Sequence, residues 1–102
     1  MNLEFAPEAL SDIQRTRHYI SKKLKNPTAA QRIVNMIFRE CERLKVFPDS
    51  GVALVSKVNC GSDFRYIVCE KWLAFYRVKG STVKIVRVLD GRTDYLQILL
   101  DI

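Results

Sequence analysis

The chain has 102 residues, 48% hydrophobic and 27% charged, with a formal net charge of +6. That length fits one domain, 1–102, able to bury a core without metal or disulfide, and no apolar run nears the roughly 18–20 residues of a membrane span. Cys41, Cys60 and Cys69 are odd in number, no C-x-x-C occurs and His18 is the one imidazole. A zinc centre, a disulfide scaffold and a Ser-His-Asp or Cys-His set are therefore not supported, and the thiols read as buried or half-buried.

The opening MNLEFAPEAL lacks a basic n-region and an apolar h-region, so no signal peptide is read and the expected compartment is the cytoplasm. Neither cofactor nor metal is expected. The positive balance makes a field attractive to RNA, DNA or an acidic peptide, or it serves solubility alone.

NLEF is a short apolar strand candidate, and Pro7 suits the first turn of a helix, where its missing N–H is no loss. From Glu8 to about Lys25, Leu10, Ile13, Ile20 and Leu24 follow helical spacing, which predicts a surface helix with one buried stripe; His18 sits on it as a half-exposed residue. Asn26-Pro27 breaks the helix, and Thr28-Ala-Ala-Gln31 reads as a capping box for the next. That second helix carries Ala30, Ile33, Val34, Ile37, Phe38, Cys41 and Leu44 on one face and stops near Phe47-Pro48-Asp49-Ser50-Gly51. The two helices form an antiparallel hairpin.

Residues 49–63 read as loop, with Val52-Ala-Leu-Val55 as a possible brief strand. Three strands follow: Phe64–Val68, Trp72–Val78 and Thr82–Leu89, bounded by turns at Glu70-Lys71 and Lys79-Gly80-Ser81. A two-residue turn at Glu70-Lys71 sets Cys69 opposite Trp72, Ile67 opposite Ala74 and Arg65 opposite Tyr76. One face then shows Arg65, Ile67, Cys69, Trp72, Ala74 and Tyr76, the other Phe64, Tyr66, Val68, Leu73, Phe75 and Arg77. The face of Arg87 depends on the register across the second turn and stays open. Thr93 or Asp94 is positioned to cap a last helical turn through Leu96, Leu99 and Leu100.

The order β-α-α-β-β-β-α predicts an α+β two-layer sandwich. If the hairpin returns the chain to where the first strand ended, the last strand runs opposite to the first, giving an antiparallel sheet of order 1-4-3-2. The hairpin covers one face and leaves the other bare for a partner. Arg65, Arg77, Arg87 and Arg92 are the basic groups of the sheet and its final turn, suited to carboxylate or phosphate. Alternatively, Arg87 and Arg92 pair with Asp90 and Asp94 and pin that turn. Trp72, Tyr76, Tyr66 and Tyr95 interleave with the arginines, either to stack on a partner or to pack the core.

Taken together, ALSDIQRTRHYI, NPTAAQRIV, LKVFPDSG, FRYIV, WLAFYRV and VKIVRVLDGRTDYLQIL resemble the RelE/ParE superfamily of bacterial type II toxins over nearly the whole chain. Members often carry a histidine-glycine-arginine-arginine-aspartate run in the last segment; here Asp90 replaces the histidine and Thr93 the second arginine. The resemblance implies a growth-inhibiting toxin neutralised by a cognate antitoxin that wraps a flexible segment over it. Arg65, Trp72, Tyr76, Arg77, Arg87, Arg92, Asp94 and Tyr95 are the residues expected to bind antitoxin or target.

A RelE-like ribosome-dependent mRNA endoribonuclease would use Arg65, Arg92 and Tyr95. By ungapped matching, however, two cationic strand positions of such a nuclease are Ile67 and Leu73 here. If the site works like an oxyanion hole, each lost cation removes about 2 to 4 kcal/mol of transition-state stabilisation. Asp90 also takes away the histidine and would repel phosphate. The resemblance therefore leans to ParE-like poisoning of DNA gyrase, with the ribosome and its mRNA as the alternative target and no membrane partner.

Overall fold

Asn2–Phe5 forms β1 and leads directly into α1, Pro7–His18, with Pro7 in the first turn. The computed structural model describes residues 1–54 and 63–100, so Val55 and Cys60 lie outside the described residues, as does the side chain of Leu100. Beyond His18 the helix widens into a π-helical turn, Tyr19–Lys23, in which the Leu24 N–H donates to the Tyr19 carbonyl at 3.2 Å. A π turn advances each residue by less than the usual ~100°. Ile20 therefore stays inside while Leu24, predicted on the stripe, is exposed. Leu10 is exposed as well: the stripe is narrow and consists of Ala9, Asp12, Ile13 and Ile20.

Lys25 closes the turn in the left-handed region (φ 53), and α2, Pro27–Glu42, begins at once. Its cap is Asn26, whose Oδ1 accepts from the Ala29 N–H at 3.0 Å. Pro27 starts the helix one residue ahead of Thr28, so the expected capping box does not form, and Gln31 instead donates to Asn35. A 3-10 turn, Arg43–Lys45, ends the hairpin.

Val52–Ala53 is a brief β2, followed by β3 (Arg65–Cys69), β4 (Trp72–Lys79), β5 (Thr82–Asp90) and α3 (Tyr95–Leu100). They form one sheet of order β1-β5-β4-β3-β2. The four principal strands thus keep the expected order, and β2 adds an edge. One direction differs: β1 runs parallel to β5, with Leu3 opposite Val83 and Phe5 opposite Ile85.

The reason lies in α1. It does not fold back over β1 but continues onward beside the second half of β5, where Asp12 accepts from the Val88 N–H. Helix α2 then returns the chain to where β1 began, and the Met1 ammonium donates to the Lys45 carbonyl at 3.0 Å. From that end, the reversals into β4 and β5 leave β5 pointing the same way as β1.

Cys69, Ala74 and Tyr76 pack with Ile33, Ile37, Cys41 and Leu44 under the hairpin, as the paired faces predicted. The opposite face is not bare. Tyr66, Phe75, Val86, Leu89 and Leu99 form a second buried cluster with Leu54, roofed in part by Tyr95 and Leu96 of α3. Burying ~100 Å² or more of apolar surface per large side chain is worth a few kcal/mol, which explains why a six-residue helix docks there.

Candidate functional site

Carboxylate–arginine pairs organise the surface. Asp12 is the one buried charged residue among those described, and its oxygens accept from Arg87 Nε (2.7 Å), Arg87 Nη2 (2.8 Å), Arg15 Nη2 (2.6 Å) and the Val88 N–H (2.9 Å). Where β1 has ended, this carboxylate stands in for a neighbouring strand at the edge of β5. The hydrogen bond from Arg87 to Asp12 raises the Arg87 pKa, so that fork is a permanent cation. Arg87 does not turn to Asp90 or Asp94. A register shift between Phe75 and Tyr76 leaves Val86 bulged, sets Arg87 opposite Phe75 and carries its side chain to α1.

Arg92 does pair with Asp90, at 3.2 Å, and its backbone N–H donates to the same carboxylate at 2.9 Å. The Arg92 side chain first, then its N–H, holds Asp90 below the usual carboxylate range. Arg77 bonds Asp63 at 2.7 Å and lies 4.8 Å over the Phe64 ring, while its buried Nε has no hydrogen-bond partner among the described residues. It lines an open groove of about 590 Å³ with Val86, Glu4 and Glu8.

Arg65 and Tyr76 serve the loop after α2. Arg65 donates to the Gly51 carbonyl at 2.9 Å. The fully buried Tyr76 hydroxyl donates to the Pro48 carbonyl (2.7 Å) and accepts from the Gly51 N–H (3.0 Å). Gly51 is needed for this approach, since a Cβ there would sit 2.5 Å from that hydroxyl. Burial, against the pull of the Gly51 N–H, raises the Tyr76 pKa. Trp72 is also a core residue, with the Lys71 ammonium 5.2 Å over its ring. Both aromatics, expected at a partner surface, face inward. Tyr95 stacks obliquely on Phe75 at 5.1 Å, and Asp94 is exposed.

The eight sequence-predicted residues therefore do not converge. Arg65 belongs to the hairpin face at the Tyr76 end of the β3–β4 ladder, and Arg92 follows β5 at the Trp72 end, four residues or ~13 Å away along β4. Tyr95 packs on the opposite face. Asp12 was missed. Its position three residues after Ala9 and next to Ile13 on the apolar stripe was the available signal, because a carboxylate there must find a partner.

The end of the molecule near Arg92 carries a further feature. The β3–β4 turn, the end of β5 and the π-helical turn meet around a groove of about 510 Å³ lined by Arg15, Tyr19, Leu24, Lys71, Asp90 and Arg92, among others. The Gly91 N–H donates to the Lys71 carbonyl at 2.9 Å, and Arg32 clamps Glu70 at 2.8 Å, so the turn is fixed from both sides. Among the described residues there is no group of three metal-ligating side chains, and no helix is long and apolar enough to cross a membrane.

Comparison with known proteins gives this geometry a context. A family model described as the ParE toxin of type II toxin-antitoxin systems, parDE, matches residues 3–95. No curated protein matches the chain. Among solved structures, a chain from the "Chromosomal ParDE TA system from P. aeruginosa" is 26% identical, with a TM-score of 0.72 over 88% of this chain and 95% of that one. The chain belongs to the ParE toxin family of type II toxin-antitoxin systems.

Proposed function

We propose that this toxin inhibits growth by binding and poisoning DNA gyrase, without cleaving RNA, and that a cognate antitoxin neutralises it. The separation of Arg65, Arg92 and Tyr95 carries the reading. Stabilising a phosphorane requires cations converging on one phosphate. Here Arg65 is spent on the Gly51 carbonyl, Arg92 on Asp90, and Tyr95 lies across the sheet. Ile67 and Leu73 add no charge between them. For the antitoxin, the groove beside Arg77 supports docking of an acidic segment, because Arg77, Lys79 and Lys84 outnumber Glu4 and Glu8 in its lining. Both partners belong in the cytoplasm.

The test pairs two reconstitutions of the full chain. With gyrase, plasmid and ATP, toxin should suppress supercoiling and accumulate gyrase-linked cleaved DNA. In a purified translation system, primer extension should find the messenger intact. Messenger cut by the toxin, and spared by both Arg65→Ala and Tyr95→Phe, would overturn the proposal.

A further inference from the structure

We propose that the end of the molecule built by the π-helical turn binds the phosphate backbone of duplex DNA directly. Arg17, at the last turn of α1, is followed by Lys22, Lys23 and Lys25, all exposed, and Lys71 projects from the facing β3–β4 turn. None of these five forms an ion pair among the described residues. The carboxylates at this end are already occupied: Asp12 by Arg87 and Arg15, Asp90 by Arg92, Glu70 by Arg32. The cationic field therefore points outward, uncancelled.

Two backbone irregularities create this arrangement. The π turn inserts an extra residue and gathers Lys22 and Lys23 at the tip; such turns concentrate at functional sites. Lys25 then adopts φ 53, a conformation that glycine or asparagine holds with less strain. A lysine in a conformation that favours glycine points to a use for its ammonium.

The chemistry of the patch selects the polyanion. Lysines are hydrated point charges, suited to sequence-independent phosphate contact. Single strands are held by rows of exposed aromatics, and this end exposes Tyr19 while Trp72 is buried beneath Lys71. Duplex DNA therefore fits better than single-stranded RNA. If gyrase is the target, the duplex would be the one gyrase holds; that extension rests on the proposed function, whereas binding itself does not.

Anisotropy of a fluorescent 20-base-pair duplex, titrated with the full chain at several salt concentrations, tests the idea. Four phosphate contacts would lower affinity about 100-fold between 50 and 200 mM salt, and Lys22→Gln/Lys23→Gln/Lys25→Gly, which leaves one or two contacts, should reduce that dependence to about 3- to 12-fold. The triple variant should also bind at least about tenfold more weakly at 100 mM salt. Lys25→Gly alone should weaken binding while keeping or raising Tm, which separates lost contact from lost folding.

The inference is overturned if the triple variant binds like wild type, or if Lys79→Gln/Lys84→Gln at the other end of the sheet weakens binding equally. Tighter binding of single-stranded RNA or of an acidic peptide would also overturn it. Gyrase poisoning scored in parallel keeps the two readings apart. Duplex binding without poisoning refutes only the gyrase proposal, and poisoning without duplex binding refutes only this one.

Discussion

Asp12→Ala should be among the most damaging single substitutions in the chain. The side chains of Asp12 and Arg87 are 2% and 17% exposed, so the pair is largely removed from water. Deleting one member of such a pair costs about 3 to 5 kcal/mol, because the surviving charge loses its partner in a poorly solvating site. The Val88 N–H is orphaned too, a loss of about 1 to 3 kcal/mol by itself. Both losses arise from one carboxylate and overlap, so their sum overstates the effect. Arg15, 70% exposed, adds little. A total of about 4 kcal/mol consumes much of the ~5 to 15 kcal/mol that holds a domain together, and would lower Tm by about 15 to 30 °C.

Urea unfolding followed by far-ultraviolet circular dichroism measures this, provided the slope m is unchanged. Asp12→Asn, which keeps an oxygen for the Val88 N–H, should fall between alanine and wild type. Asp12→Ala/Arg87→Met should be more stable than Asp12→Ala alone, since removing the stranded guanidinium relieves the penalty. A cost below about 1 kcal/mol for Asp12→Ala, or a double variant that loses the full sum of both singles, would refute the reasoning.

Four further outcomes follow from these contacts. Tyr76→Phe should cost about 1 to 3 kcal/mol in the same assay by leaving the Gly51 N–H unmatched, and Gly51→Ala should also destabilise because its methyl meets the Tyr76 hydroxyl and the Tyr66 carbonyl. Asp90 is held below the ordinary carboxylate range in the folded state, so its contribution is present above the unfolded pKa and is lost as pH falls through the folded one. The urea-midpoint difference between wild type and Arg92→Ala, small at pH 7, should therefore close in acid. Burial pushes the Cys41 thiol far up and the Cys69 thiol up to about 12, so peptide mapping after alkylation at pH 8 should find both unlabelled until denaturant is added.

The strand pairings were legible in the sequence because a two-residue turn leaves no freedom: once Glu70-Lys71 is the turn, Arg65 must oppose Tyr76. The same logic failed one strand later, since the bulge at Val86 has no signature in VKIVRVLD, and it alone decides where Arg87 goes. The direction of β1 was illegible for a different reason. NLEF pairs with only the first half of β5, and nothing local says whether the following helix doubles back or runs on. The cover on the second face was half-visible in the apolar LQIL. Its true extent comes from Leu54 and Tyr66, which meet Leu99 only in three dimensions. Leu24 turned outward because apolar spacing cannot register a π turn.

These corrections bear on function because they divide the cations into two groups. The arginines of the sheet and its final turn have become structural: Arg65 holds a loop, Arg87 seals an edge, Arg77 bridges to Asp63 and Arg92 closes a turn. Moving any of them onto a substrate would first require breaking a bond that the fold uses. Lys22, Lys23 and Lys25, which form no ion pair among the described residues, lie at the π-helical tip, where backbone irregularity rather than packing positions them. Unpaired charge of one sign costs self-repulsion in the folded chain, aids solubility, and leaves a field that an anionic partner can meet. Substitutions on the sheet should thus reduce toxicity in proportion to lost stability, whereas substitutions at the tip should reduce it at unchanged Tm. Equal stability loss from both groups, at equal loss of growth inhibition, would collapse the distinction.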